Sequence, residues 1–368
     1  MRLRQLNESR LDDKKKMGRD LNHLEDLVFF YGSDGADEAV DILSDITNDE
    51  TSDVSIKWDG KVALFYGRDE NGTFMMGTKG NWAKNTPATT PEEIRDYIAN
   101  GGDQDFRGPM SQDLFQIFPY LEESFPTSSM GFVMGDLIFS PNMSPKVTTP
   151  EGIRIVTNQV TYTIDPTSAI GKRFNEAICG LALHVKFDEW GSKNQAVIGT
   201  DTVAKLNSNN VVAMGQTYAP KTPKLDKSAI KNLSSLARKY GPVVDQLISK
   251  RPGISDISNI IYTFNNQTMR GGGNELSTKV FFDWLPTSKV SPGKQEKLAA
   301  IHNENPNAFN SMFELFNAVA DAKDEIINQL DAGETDIKSS MDGRPGGEGY
   351  VSLKNKVKLV PRKSWRPS

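Results

Sequence analysis

The chain has very little cysteine and histidine: one cysteine, Cys179, and three histidines, His23, His184 and His302, among 368 residues. A single cysteine excludes an internal disulfide framework and a cysteine-based zinc site, and three scattered histidines give no histidine metal cluster. Long apolar runs are missing as well, and nothing approaches the length of a membrane span. The first residues, Met1-Arg2-Leu3-Arg4-Gln5, lack an apolar signal region. A cytoplasmic protein with no membrane partner is expected. The length suffices for two or three domains and a sizeable core.

A net charge of −5 does not by itself suggest a nucleic-acid partner. Its distribution says more. Between Lys221 and Ala300 thirteen basic residues stand against six acidic ones, an excess of about seven positive charges within an acidic protein. Such a cluster can track a phosphate backbone, with Lys231, Arg238 and Lys239 as candidate contacts. It equally fits a solvated helical face.

Apolar spacing predicts two helices, Arg19 to Tyr31 and Ala36 to Ile46, joined by Gly32-Ser33-Asp34-Gly35. From Ile56 to about Val212 the pattern is mainly strands. A helix is predicted from Pro91 to Asn100, where Thr90 offers a cap, and another from Ser111 to Ser124. Val147 to Ile164 reads as a small β excursion. Residues 226–336 break the strand pattern and read as a helical insertion with segments Ser228 to Tyr240, Pro242 to Lys250, Gly293 to Asn303 and Asn307 to Leu330. In the last, Phe309, Met312, Phe313, Phe316, Val319, Ala320, Ile327 and Leu330 share one side, as a core-facing stripe does. The expected class is α+β: an N-terminal helical segment (1–50), a strand-rich core (51–225 and 337–368), and the helical insertion (226–336).

Five short segments carry chemistry. The first is Lys57-Trp58-Asp59-Gly60, after an apolar strand ending in Ile56. A lysine held among apolar neighbours loses its proton more easily than one in water, and the neutral amine is a nucleophile. Taken alone, the same residues fit an Asp-Gly hairpin turn. The second is Gly77-Thr78-Lys79-Gly80, which also fits a hairpin end. In the third, Gly131 to Phe139, an apolar run brackets Gly135-Asp136, and an acid inside a buried strand needs a partner or a cation. In the fourth, Ile178 to Asp188, His184 and Phe187 are candidate aromatic stackers, and alternation does not choose between them. The fifth runs Gly346-Gly347-Glu348-Gly349-Tyr350-Val351, followed by Lys356-Val357-Lys358. Two glycines before Glu348 let the backbone pass close to a ligand. Alternation puts Lys356 and Lys358 on one side of a strand, where an anion between them offsets their repulsion; an edge strand bearing deterrent lysines is the other reading. A tight hairpin at Lys354-Asn355 fits the short spacing.

In this order the segments resemble the motifs of the covalent nucleotidyltransferase superfamily, which includes ATP-dependent DNA ligases, RNA ligases and mRNA capping enzymes. Gly-Asp here replaces the family's usual Gly-Glu. The flanks Leu21 to Val28 and Val357 to Arg362 are similar to ligase-type nucleotidyltransferases of large tailed bacteriophages, which would place the protein in the host cytoplasm. The resemblance implies an ATP-grasp-like antiparallel core and a lysyl-AMP intermediate on Lys57, with Lys356 and Lys358 as catalytic cations. It implies nucleotide contacts from Ile56, Asp59, Gly60, Lys79, Asp136, His184 or Phe187, and Glu348. It also implies Mg²⁺, with Mn²⁺ as a substitute, held by Asp136 and Glu348. Only ten residues follow Lys358, so no C-terminal OB domain is expected, which favours RNA over DNA. The implied function is an ATP-dependent polynucleotide ligase joining a 5′-phosphate to a 3′-hydroxyl. A capping-like or other AMP transferase, and an inactive binding module, stay open.

Overall fold

The computed structural model describes residues 22–48, 54–219, 222–249, 254–271, 273, 276–333, 336–341, 343–352 and 354–362. The chain is a mixed α+β protein with two compact units. A sheet unit comprises Ile56–Thr217 and Glu334–Glu348, and a helical unit comprises Met1–Ser55, Tyr218–Gly333 and Gly349–Ser368. This division differs from the expected one at two places. The N-terminal helix belongs to the same unit as the helical block, and so does the segment after Glu348.

The sheet unit is built around β5 (Gly131–Phe139). It pairs antiparallel with β3 (Ala63–Arg68) on one side and β9 (Cys179–Phe187) on the other. Beyond β3 lies β4 (Phe74–Thr78). Beyond β9 lies β10 (Ala196–Val197), and β11 (Val211–Met214) adds to β9 in parallel. Strand β5 reads as a nearly continuous apolar run because both of its faces are covered. Val133 and Leu137 pack on the helices α3 (Pro91–Ala99) and α4 (Gln104–Ser124), against Ile94, Ile98, Leu114, Ile117 and Phe118. Thr90 caps α3 by accepting from the Glu93 amide at 3.2 Å, as its sequence predicts, while α4 starts seven residues before the predicted Ser111. The opposite face alternates Phe132, Met134, Asp136 and Ile138. Phe132 and Met134 join an aromatic cluster with Phe65 and Phe187, and Ile138 joins a second core with Trp58, Ile153, Tyr162 and Phe174.

That second core is roofed by another sheet of β6 (Val147–Thr149), β7 (Gly152–Val156), β8 (Val160–Ile164), β12 (Ile337–Met341) and β13 (Arg344–Pro345). The expected excursion over 147–164 is therefore part of a structural sheet. Its strand β8 is the template onto which the chain returns 170 residues later, with Ile337 opposite Ile164 and Met341 opposite Val160. Helices α2 (Lys79–Lys84), α5 (Ala169–Glu176) and α6 (Thr200–Lys205) complete the unit.

In the helical unit, α1 (Leu27–Asn48) runs through both predicted helices and kinks at Gly32, where φ is 58°. The kink is held by α7 (Lys227–Ile248): Ser33 donates its amide and hydroxyl to Asp245 at 2.8 and 2.6 Å. Two helices were expected where α7 runs on through Pro242. Helices α8 (Ile257–Arg270) and α9 (Thr278–Trp284) escape the sequence pattern, and α10 (Pro292–Glu304) precedes α11 (Asn307–Asp331). The predicted stripe of α11 is buried throughout, with Phe316 stacked on Phe29 at 4.5 Å.

Asn22–His23 form a short strand, β1, and Leu24–Asp26 a 3-10 turn where helix was expected; Arg19 to Leu21 lie outside the described residues. Strand β1 pairs in parallel with β15 (Val357–Leu359), which pairs with β14 (Tyr350–Ser352), and β2 (Val54–Ile56) closes that sheet. Behind β1 lies a buried ionic network. Lys323 donates to Glu25 at 2.9 Å, and Arg362 donates to Asp26 at 2.8 Å and to Asn266 at 2.7 Å. Burial alone raises the carboxyl pKa of Glu25. The charges of Lys323 and Arg362 outweigh it, and the net effect lowers the pKa from 4.5 to about 2.

A carboxyl depressed in the folded state contributes stability that is complete above pH 4.5 and is lost as pH falls towards 2. Replacing Lys323 with Met is expected to cost about 3 kcal/mol at neutral pH, because it strips a buried carboxylate of its closest cation. Urea unfolding at a series of pH values checks both: the gap between wild type and variant should narrow as pH falls through that window.

Candidate active site

Lys57 follows β2 in an irregular segment, residues 57–62, that leads into β3. Since β2 and β3 lie in different sheets, Asp59-Gly60 is not a hairpin turn. The segment is pinned from several sides. Trp58 is buried against Tyr162 at 4.7 Å, and its Nε1 donates to Thr217 at 3.2 Å. The Asp59 amide donates to the Tyr162 hydroxyl at 2.8 Å. Asn158 donates to the Asp59 carboxylate at 3.3 Å and to the Gly60 carbonyl at 2.9 Å. Gly60 is pressed against β5: a Cβ there would lie 2.6 Å from the Leu137 carbonyl oxygen and 2.8 Å from Asp136 Cβ. Glycine is required by this approach and not by a turn.

So held, the Lys57 ammonium forms an ion pair with the Glu348 carboxylate. Both side chains are partly buried, with relative exposures of 24% and 19%. Glu348 arrives from β12 and β13, where the Gly346 amide donates to the Ser339 carbonyl at 2.9 Å. Gly347 packs against Ser339 and Val160, so this glycine serves protein packing and not the ligand approach that the sequence suggested.

Asp136 shares the sheet face on which Gly60 rests, and its Oδ2 accepts from His184 Nε2 at 3.0 Å. Asp59 is close enough to feel both charges. Its carboxyl pKa is raised by burial, which outweighs the lowering by Lys57 and by the Asn158 hydrogen bond, while Asp136 raises it further. Lys57 thus meets Glu348 and acts on Asp59, and Asp136 acts on Asp59 and meets His184.

The other expected residues fall as follows. Ile56 donates its amide to the Thr217 carbonyl at 2.8 Å and packs its side chain on the second core. Lys79 is exposed at the start of α2, one residue past Thr78, which the ladder pairs with Leu64. Phe187 is 7% exposed and packs between Phe65 at 5.9 Å and Trp82 at 4.6 Å, a core residue and not an open stacker. Lys356 and Lys358 lie in the helical unit. Lys358 is the middle residue of β15, whereas Lys356 has φ 54° in the turn before it, so the pair does not share a strand face. The expected hairpin is there, with Ser352 opposite Val357.

Lys231, Arg238 and Lys239 are exposed on α7, and Lys239 leans on Tyr240 with its Nζ 4.6 Å from the ring centre. Lys231 and Arg238, seven residues apart, continue a stripe from Lys227 on one helix side. Elsewhere in the basic block, Lys279 and Lys294 are paired with Asp283 and Asp256. Lys221, Lys250 and Arg251 lie outside the described residues.

Sequence reasoning gave Trp58 no role of its own and missed Asn158 and Tyr162. Tyr162 is one of several alternating positions in β8, and Asn158 reads as an ordinary turn residue, so neither carries a signal of its contact with Lys57's segment.

Among the described residues no helix is long and apolar enough to cross a membrane. None of their His, Cys, Asp and Glu side chains form a group of three or more able to hold a metal ion. The chain belongs to a family of unknown function, DUF6267, whose model matches residues 19–366. No curated protein and no solved structure matches it.

Gly60→Ala is expected to lower stability by about 1–3 kcal/mol, the usual cost of forcing an extra atom into a packed contact. Gly102→Ala is the control, since nothing lies within 4 Å of a Cβ there. Thermal midpoints of the two variants check it, and equal midpoints would remove the packing argument for Gly60.

Proposed function

We propose that this protein is a covalent nucleotidyltransferase that forms a lysyl-AMP on Lys57 and passes the AMP to a polynucleotide end, with an ATP-grasp-like ligase core in its sheet unit. The observation that carries the reading is the Lys57–Glu348 ion pair, which joins the first and last motifs of the expected series 291 residues apart. Asp136 of the middle motif lies beside the same segment through Gly60.

In the reaction, Lys57 first gives up its ammonium proton, then its Nζ attacks the α-phosphorus of ATP. A P–N bond forms, the α–β anhydride bond breaks, and pyrophosphate leaves. Glu348, in contact with Nζ, is placed to hold that proton. Tyr162 and Asn158 fix the Asp59 backbone and carboxylate, and so the direction of the lysine. Asp136 and Glu348 each engage one oxygen in the contacts described, Oδ2 and Oε2. Two carboxylates with free oxygens suit Mg²⁺, which uses one or two protein carboxylates and completes its shell with water and substrate phosphates. When bound, the ion offsets phosphate charge. The part of Lys79, as a phosphate contact that stabilises the transition state, rests on motif order. ATP over GTP also follows the family.

A second reading, AMP transfer to an acceptor other than a polynucleotide, keeps the same first step. The exposed stripe Lys227, Lys231 and Arg238 favours a polynucleotide, because it presents cations at helical spacing suited to a phosphate backbone.

Incubation with α-labelled ATP and Mg²⁺ is expected to label the wild-type protein covalently and to leave Lys57→Ala unlabelled. Label on both, or on neither, sinks the lysyl-AMP step, and label from GTP alone points to a capping-like enzyme. Charge reversal at Lys231, Arg238 and Lys239 should weaken binding of a single-stranded RNA at least tenfold while self-labelling is kept. Unchanged RNA binding would discard the α7 stripe as the docking surface.

A further inference from the structure

Strand β9 does not keep a simple alternation. Leu181 and Leu183 face the core beneath α3 and α4, yet Val185 and Phe187 join the aromatic cluster on the opposite face of the sheet. The switch occurs at a bulge. Met134 pairs with Val185, but its neighbour Gly135 pairs with Leu183, and His184 is the extra residue between them. A bulge of this kind re-aims a side chain and is common beside functional sites. It brings His184 to the face that carries Asp136, where Nε2 meets Oδ2 at 3.0 Å. The partner strand is shaped for it. A Cβ at Gly135 would lie 2.4 Å from the Ala182 carbonyl oxygen and 2.8 Å from Leu183 Cδ2, so only glycine allows β9 this close before the acid.

We propose that His184 is a positioning residue for Asp136 and not a stacking platform for the nucleotide base. The inference rests on the nucleotidyl-transfer reading above. An ionised carboxylate only accepts, which assigns the proton to Nε2. One oxygen of Asp136 is thereby fixed by His184, which leaves Oδ1 to accept from what binds in the site. Asp136 is a short side chain, so its carboxylate sits near the sheet and is oriented by a neighbour on the adjacent strand. Partners of this type typically change metal affinity or activity by about 10- to 100-fold when removed.

Two substitutions separate the roles. His184→Phe keeps a ring and loses the donor; His184→Gln keeps a donor and loses the ring. Rates of covalent labelling by ATP are measured over a Mg²⁺ titration, beside calorimetric binding of ATP without metal and thermal midpoints. His184→Phe is expected to label about 10- to 100-fold more slowly and to need more Mg²⁺, with His184→Gln within about threefold of wild type. Both should bind metal-free ATP within about threefold of wild type. If the midpoint of His184→Phe collapses, His184→Leu replaces it as the donor-free variant. Wild-type rates in the donor-free variant overturn the proposal, as does a loss in His184→Gln as large as in His184→Phe, or a fall in metal-free ATP affinity confined to His184→Gln. A wild-type protein that takes no label overturns the nucleotidyl-transfer reading and this inference with it. Normal labelling by wild type and by His184→Phe overturns this inference alone.

Discussion

The ion pair between Lys57 and Glu348 spans 291 residues of sequence and depends on nearly everything else in the sheet unit. On one side it needs Trp58 sunk into the core against Tyr162, with Gly60 flat against β5. On the other it needs β12 laid on β8 in the register that sets Ile337 opposite Ile164. Strand β8 serves both requirements, because it donates Tyr162 to the lysine segment and its edge to β12. A one-residue slip of that pairing would turn every side chain of β12 to the other face and carry Glu348 away from the lysine.

Around that pair charged side chains act on one another. Asp59 feels the charges of Lys57 and Asp136, Asp136 meets His184, and Glu348 meets Lys57. Burial and the neighbouring Asp136 make the Asp59 charge costly, and Lys57 with Asn158 only partly offsets this. The hydrogen bonds that hold the acids engage one oxygen of Glu348 and one of Asp136.

The helical unit solves a different problem. Glu25, Asp26, Lys323 and Arg362 are all buried, and each acid meets a cation directly. This network ties the start of the described chain to its last strand, where Asn22 and His23 pair with Val357 and Lys358. Residues 22–28 and 357–362 are thus neighbours in space. Lys231, Arg238 and Lys239 lie outside this core, exposed on α7.

The sequence by itself determined the class of most elements, since apolar period and capping residues are local. Thr90 starts a helix because its hydroxyl reaches the Glu93 amide three residues on, and α11 buries its stripe because Phe309, Met312, Phe313 and Phe316 recur at helical spacing. Candidate chemistry was legible too, as Lys57, Asp136 and Glu348 are polar residues set among apolar or glycine-rich neighbours. Tertiary structure alone decided which of them meet. The bulge that turns His184 to Asp136 depends on β5 lying against β9, and the burial of Phe187 depends on Trp82 from another helix. Lys356 left the expected strand face because the hairpin closes through a left-handed residue. Gly60 looked like a turn residue and proved to be a packing residue, because the atoms that exclude a side chain there come from a strand more than seventy positions away in the sequence.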